Sequence, residues 1–89
     1  PRARGGIVKN SPDTLRARAT SCARARDTLA QVARLIDTAI NHAVEGRCQP
    51  QVTAALTRAQ RDISAAQGHA ETRRQRWLKK ADKQDASDE

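Results

Sequence analysis

Two runs of apolar residues at helical spacing constrain this chain more than any other feature of its 89 residues. From Leu15 to Val44, and again from Val52 to Ala81, apolar side chains recur mostly at intervals of three or four. That spacing aligns them along one side of an α-helix. The chain has one aromatic residue, Trp77, and lacks the aromatic and β-branched runs that a β-sandwich or barrel needs. The sequence therefore predicts an all-α protein.

Capping residues indicate where the two helices begin and end. Ser11 can accept a hydrogen bond from the first turn of the first helix. Gly46 can close that helix in the left-handed conformation, and Pro50 fits the first turn of the next one. We expect helices over about 12–45 and 50–82.

A connection this short between two long helices forces an antiparallel hairpin of the coiled-coil type. Counting outward from the turn pairs Val44 with Val52 and Ala19 with Trp77, so we expect the core in the half nearest the turn. Because so short a chain buries little surface alone, we expect dimerisation into a four-helix bundle or docking on a partner. The residues predicted to build these contacts are Leu29, Ala33, Ile36, Ile40, Leu56, Ile63 and Trp77.

The hairpin domain is predicted to cover residues 11–82. Residues 1–10 should form a flexible basic arm, since glycines interrupt any periodicity there. Residues 83–89 should form a disordered acidic tail. The helices could instead break near Cys22 or Gly68, which would divide the hairpin into shorter pieces.

The net charge of +7 is concentrated in two stretches of the sequence. Residues 1–26 carry a net +6 and residues 73–83 a net +5, whereas residues 27–72 carry −1. A hairpin would bring both stretches together at its open end, a pattern that favours nucleic acid as the partner, DNA ahead of RNA. The residues expected to contact phosphates are Arg2, Arg4, Arg16, Arg24, Arg73, Arg74, Arg76, Lys79 and Lys80.

No constellation for catalysis is visible, so we expect no enzyme activity and no cofactor or metal. His42 and His69 lie far apart in a hairpin, and a Gly-rich phosphate loop and a nucleophile motif are both missing. Cys22 and Cys48 form no C-x-x-C pair, so we expect two reduced thiols. Without a long apolar run or a secretory signal, the expected location is the cytoplasm or a phage nucleoprotein assembly, with no membrane partner.

The apolar positions on both sides of the turn have a distinctive layout. They are Leu29, Val32, Ala33, Leu35, Ile36 and Ile40 before the turn, and Val52, Leu56 and Ala59 after it. Together with Gly46 and Pro50, this layout resembles an Ala-rich helical hairpin of phage and mobile-element proteins, including small-terminase-like ones. The resemblance covers roughly residues 27–78. It implies oligomerisation and a role beside DNA.

The alternative function is a protein–protein assembly or adaptor module, in which the Ala-rich stripe mediates oligomerisation. Such a module would be a phage or mobile-element component. A DNA-reading helix-turn-helix is disfavoured, because that motif has a short first helix and a steep crossing angle. The turn region here is also close to neutral, which suits a helix in the major groove poorly.

Overall fold

The computed structural model describes residues 11–88, which form two long helices lying antiparallel. Helix α1 is Pro12–Glu45 and helix α2 is Pro50–Asp88. This arrangement confirms the predicted all-α hairpin. The molecule measures 64 × 23 × 14 Å with a radius of gyration of 19.5 Å, whereas a compact domain of this length would have about 12 Å. The hairpin is therefore a thin slab with one seam between two helices.

Helix α1 begins as its sequence predicts. Ser11 has an extended backbone (φ −66°, ψ 151°), and its hydroxyl accepts a hydrogen bond from the Thr14 N–H at 3.2 Å. The Ser11 carbonyl accepts the Leu15 N–H at 3.0 Å. Pro12 occupies the first turn, and the Asp13 carboxylate lies near the positive end of the helix.

The end of α1 differs from the prediction by one residue. Gly46 has an ordinary backbone (φ −81°), and Arg47 takes the left-handed conformation (φ 52°). The Cys48 N–H donates to the Ala43 carbonyl at 3.0 Å, and the Arg47 N–H donates to the Val44 carbonyl at 3.1 Å. These two bonds define a Schellman motif whose left-handed position is Arg47. The prediction that Gly46 would be left-handed is wrong, because the chain reverses one residue later.

The half-buried side chains follow a heptad pattern along both helices. Buried and half-buried positions recur at alternating intervals of three and four, the period of a coiled coil. We call these positions the seam. On α1 they are Leu15, Ala19, Cys22, Arg26, Leu29, Ala33, Ile36, Ile40 and Ala43, and on α2 they are Thr53, Leu56, Gln60, Ile63, Gln67, Ala70, Arg74, Trp77, Ala81 and Gln84. All seven residues predicted as contacts lie in the seam.

The most deeply buried residues lie mainly at the open end, so the predicted location of the core is wrong. Leu15, Ala19 and Ala81 are each at most 3% exposed, and Ala43 is the buried residue near the turn. Val44 was expected to face Val52 across the core but is 63% exposed. The seam of α2 passes through Thr53 and Leu56, which turns the Val52 side chain toward the surface.

The length of α2 explains the burial at the open end. Helix α2 continues to Asp88, so the predicted disordered tail is wrong over residues 83–88. Its last turns lie beside the start of α1, where the Arg16 guanidinium donates a hydrogen bond to Asp85. Both helices also run unbroken through Cys22 and Gly68, and a Cβ on Gly68 would meet nothing within 4 Å.

Replacing Arg47 by glycine should stabilise the hairpin. A left-handed residue with a Cβ is strained, and glycine removes that strain. We expect Arg47→Gly to raise the free energy of unfolding by about 0.5–1 kcal/mol, measured by urea denaturation followed by circular dichroism. Arg47→Ala is the control, because it removes the charge but keeps the strained backbone. A gain of equal size in Arg47→Ala would show that charge, and not backbone conformation, is responsible.

Candidate nucleic-acid interface

Cations surround Trp77 on one broad face of the slab. The Arg18 guanidinium lies 5.0 Å from the indole centroid, that of Arg73 lies 5.6 Å away, and the Lys80 ammonium lies 5.5 Å away. Arg18 comes from α1 and the other two from α2, so the site needs both helices. We call this surface the Arg73 face. An exposed cation–π contact contributes about 0.5–1 kcal/mol. The three contacts with the indole therefore offset part of the repulsion among the three positive charges.

Two further cations of α2 extend this cluster along the helix. Arg73, Arg76, Lys80 and Lys83 follow one another at intervals of three, four and three, which places them on one side of α2. They span about 15 Å along the helix axis. We call these four residues and Arg18 the basic patch. Among the described residues, every ion pair uses other side chains, so the patch is not neutralised internally.

The opposite broad face holds a network of ion pairs around Glu71. Arg74 donates to both carboxylate oxygens of Glu71 at 2.9 Å, Gln75 donates at 2.8 Å, and Arg26 of α1 donates at 2.5 Å. The bonds from Arg74, Gln75 and Arg26 hold the pKa of Glu71 well below the usual glutamate range. The pairing with Glu71 in turn raises the pKa of Arg26 and of Arg74. We call this surface the Glu71 face.

The acids of the open half whose side chains the structure describes gather on the Glu71 face. Arg26 also donates to Asp27 at 3.1 Å, and Arg16 pairs with Asp85 and, at 3.8 Å, with Asp13. Asp82 precedes Asp85 by three residues and so shares its side of α2. Asp13, Asp27, Glu71 and Asp85 are paired with Arg16, Arg26 and Arg74, and no ion pair among the described residues joins one of these acids to the basic patch.

The structure brings three of the predicted phosphate contacts into the basic patch, namely Arg73, Arg76 and Lys80. It adds Arg18 and also Lys83, the first residue of the predicted disordered tail. The helical spacing of Lys83 with Lys80 was a signal that could have found it. The position of Arg18 beside Trp77 could not be predicted from spacing along the chain, because it depends on how the two helices pack.

The other predicted contacts lie elsewhere. Arg16 and Arg74 are held in ion pairs on the Glu71 face. Arg24 and Lys79 are exposed on the outer edges of the helices, away from the seam. Arg2 and Arg4 lie outside the described residues, as does the rest of the predicted arm.

The histidines and cysteines, for which the sequence predicts no catalytic or metal-binding role, lie at separate places on the hairpin. The Nδ1 atom of His42 lies 3.8 Å from the Glu45 carboxylate near the turn, and His69 lies on α2 more than 20 residues away along the chain. Within residues 11–88, no group of three or more His, Cys, Asp and Glu side chains is placed to hold a metal ion. Cys22 and Cys48 are free thiols. Neither helix, over its described length, is apolar enough to cross a membrane.

Comparison with protein-family models, curated proteins and solved structures finds no match to this chain. The resemblance to small-terminase-like hairpins therefore stays a prediction.

Protonation of Glu71 should weaken the hairpin in acid. A carboxyl whose pKa is lowered by folding contributes stability above its unfolded pKa, about 4.3, and loses that contribution as pH falls below it. We expect the melting temperature of the wild type to exceed that of Glu71→Gln at pH 7. The difference should stay constant down to about pH 5 and shrink progressively below pH 4.3.

Thermal melts of both proteins between pH 7 and pH 2, followed by circular dichroism, test this expectation. Asp62→Asn is the control, because Asp62 makes no ion pair with any described residue. A difference between wild type and Glu71→Gln that does not change with pH would contradict the assignment.

Proposed function

We propose that this chain is a non-enzymatic nucleic-acid-binding protein whose basic patch contacts phosphates. One observation carries the proposal: five cations share one face of the open half, while the acids of that half whose side chains the structure describes lie on the other. A set of unneutralised cations repels itself, so an anionic partner relieves an electrostatic cost that the free protein bears. A polyanion fits this arrangement better than a single small anion, because the cations extend along a helix.

The dimensions of the patch suit a phosphate backbone. Its length of about 15 Å corresponds to about four base pairs at 3.4 Å rise along one DNA strand. Arg18, Arg73 and Arg76 can each donate two parallel hydrogen bonds to a phosphate, and Lys80 and Lys83 act as point charges. Each phosphate neutralised releases counterions, so affinity should fall steeply with salt.

The surroundings of Trp77 favour contact with the backbone over stacking on bases. Proteins that bind single-stranded nucleic acid stack its bases on exposed aromatic rings. Here the indole is half-buried in the seam, and three cations already lie around the ring. The patch therefore offers charge and little free aromatic surface, which supports duplex DNA as the partner.

Removing three charges from the patch should weaken binding and its salt dependence. We expect Arg73→Gln combined with Arg76→Gln and Lys80→Gln to lower the slope of log K against log salt by about 2–3, at about 0.9 per lost phosphate contact. Fluorescence anisotropy of a labelled duplex, titrated between 50 and 200 mM salt, measures the slope. Circular dichroism checks that the helices persist.

The matched control loses the same charge elsewhere. Arg34, Arg58 and Arg61 are exposed arginines outside the patch, so their triple replacement by glutamine should leave most of the binding intact. Equal losses in both triple variants would show that only net charge matters. Undiminished binding by the patch variant would refute the proposal.

A further inference from the structure

The Arg73 face changes character toward the turn, where its surface is apolar. Positions 25, 32 and 39 follow Arg18 at intervals of seven, and positions 66, 59 and 52 precede Arg73 at the same interval, so all flank the seam on the same side. Leu35 lies beside this row and is 69% exposed. We call the resulting surface the apolar strip. It consists of Val32, Leu35, Ala39, Val52, Ala59 and Ala66.

The Glu71 face at the same level is polar. A shallow groove there is lined by Asp37, Thr57, Arg61 and Ser64, together with seam residues, and Gln60 donates a hydrogen bond to Asp37. Two of the three large apolar residues that are exposed, Leu35 and Val52, therefore lie on the Arg73 face, whereas Val44, one residue after Ala43, flanks the seam on the Glu71 side. Scattered apolar residues need no explanation, but a contiguous strip on one face indicates a contact surface.

We infer that the apolar strip is covered by the same strip of a second copy of this chain, forming a four-helix bundle over the turn half. The overlap of two turn halves would have a footprint of up to about 700 Å², half of a 64 × 23 Å rectangle, and a standard stable interface buries roughly 800 Å² of accessible surface per partner. A self-complementary surface must avoid like charges, and among the described residues of this strip and its edges Asp62 is the one fixed charge. The alanines allow close approach of the helices.

The basic patch determines how the two copies are oriented. If two copies stacked in parallel, their basic patches of five cations each would lie against one another and repel. In an antiparallel dimer with twofold symmetry, the turn halves overlap and the open ends project in opposite directions. Ala59 lies about 16 Å from the turn and Trp77 about 43 Å. Each patch would then lie about 27 Å from the twofold axis, uncovered by the other copy.

This inference does not depend on nucleic-acid binding, because its test is the oligomeric state. Sedimentation equilibrium of the full chain between 1 and 200 μM should give about twice the 9.7 kDa chain mass. Leu35→Glu places a charge at the centre of the strip and should raise the dimer dissociation constant at least tenfold. Ser64→Glu is the control, since the same charge on the Glu71 face should leave the dimer unchanged. Helix content by circular dichroism should be the same in all three proteins.

The orientation can be measured through a native thiol at the turn. After Cys22→Ala, a spin label on the exposed Cys48 reports the distance between the two turns. Antiparallel overlap places them about 32 Å apart, whereas parallel stacking brings them together. A short distance would overturn the antiparallel arrangement. A wild type that stays monomeric at 200 μM, or equal dissociation in Leu35→Glu and Ser64→Glu, would overturn the inference as a whole.

Discussion

The single seam between α1 and α2 determines where every other side chain lies. Each helix has one neighbour, so the heptad phase of the seam alone decides which residues are covered and which face they flank. Arg73, one residue before a seam position, lies on one broad face. Glu71, one residue after Ala70, lies on the other. Because the slab is only one helix thick, these two flanks become two different surfaces in the open half, one with unpaired cations and one with paired charges.

The seam is held by more than apolar burial. Arg26, Gln60, Gln67, Arg74 and Gln84 occupy heptad positions that a strong coiled coil would fill with leucine or isoleucine. Such positions cost stability unless their polar groups are bonded. The Glu71 carboxylate accepts hydrogen bonds from both seam arginines, Arg26 of α1 and Arg74 of α2. A shift in register would leave Arg26 in the seam without its carboxylate, so the pair favours one alignment of the helices.

The sequence was informative wherever local chemistry decides the outcome. The Ser11 cap, the limits of α1, the start of α2 and the antiparallel arrangement all follow from short-range signals. The end of α2 does not, because its acidic last turns lie beside α1, where Asp85 pairs with Arg16 across 69 residues of sequence. The left-handed residue at Arg47 depends on hydrogen bonds that span the turn, which a preference for glycine does not specify.

The candidate site shows the same division between local and long-range information. The spacing of Arg73, Arg76 and Lys80 already places them on one side of a helix. What separates Arg73 from Arg74 is the phase of the seam, since one residue rotates a side chain by about 100° around the helix axis. Arg73 then faces an unpaired cluster, while its neighbour is bound to Glu71. The charge count of a stretch therefore overstates the number of available cations, and pairing with the second helix decides which remain. The proposed dimer would add a further consequence. Two patches held apart on one rigid bundle would make the second contact with a long polyanion intramolecular, which raises avidity without any new contact.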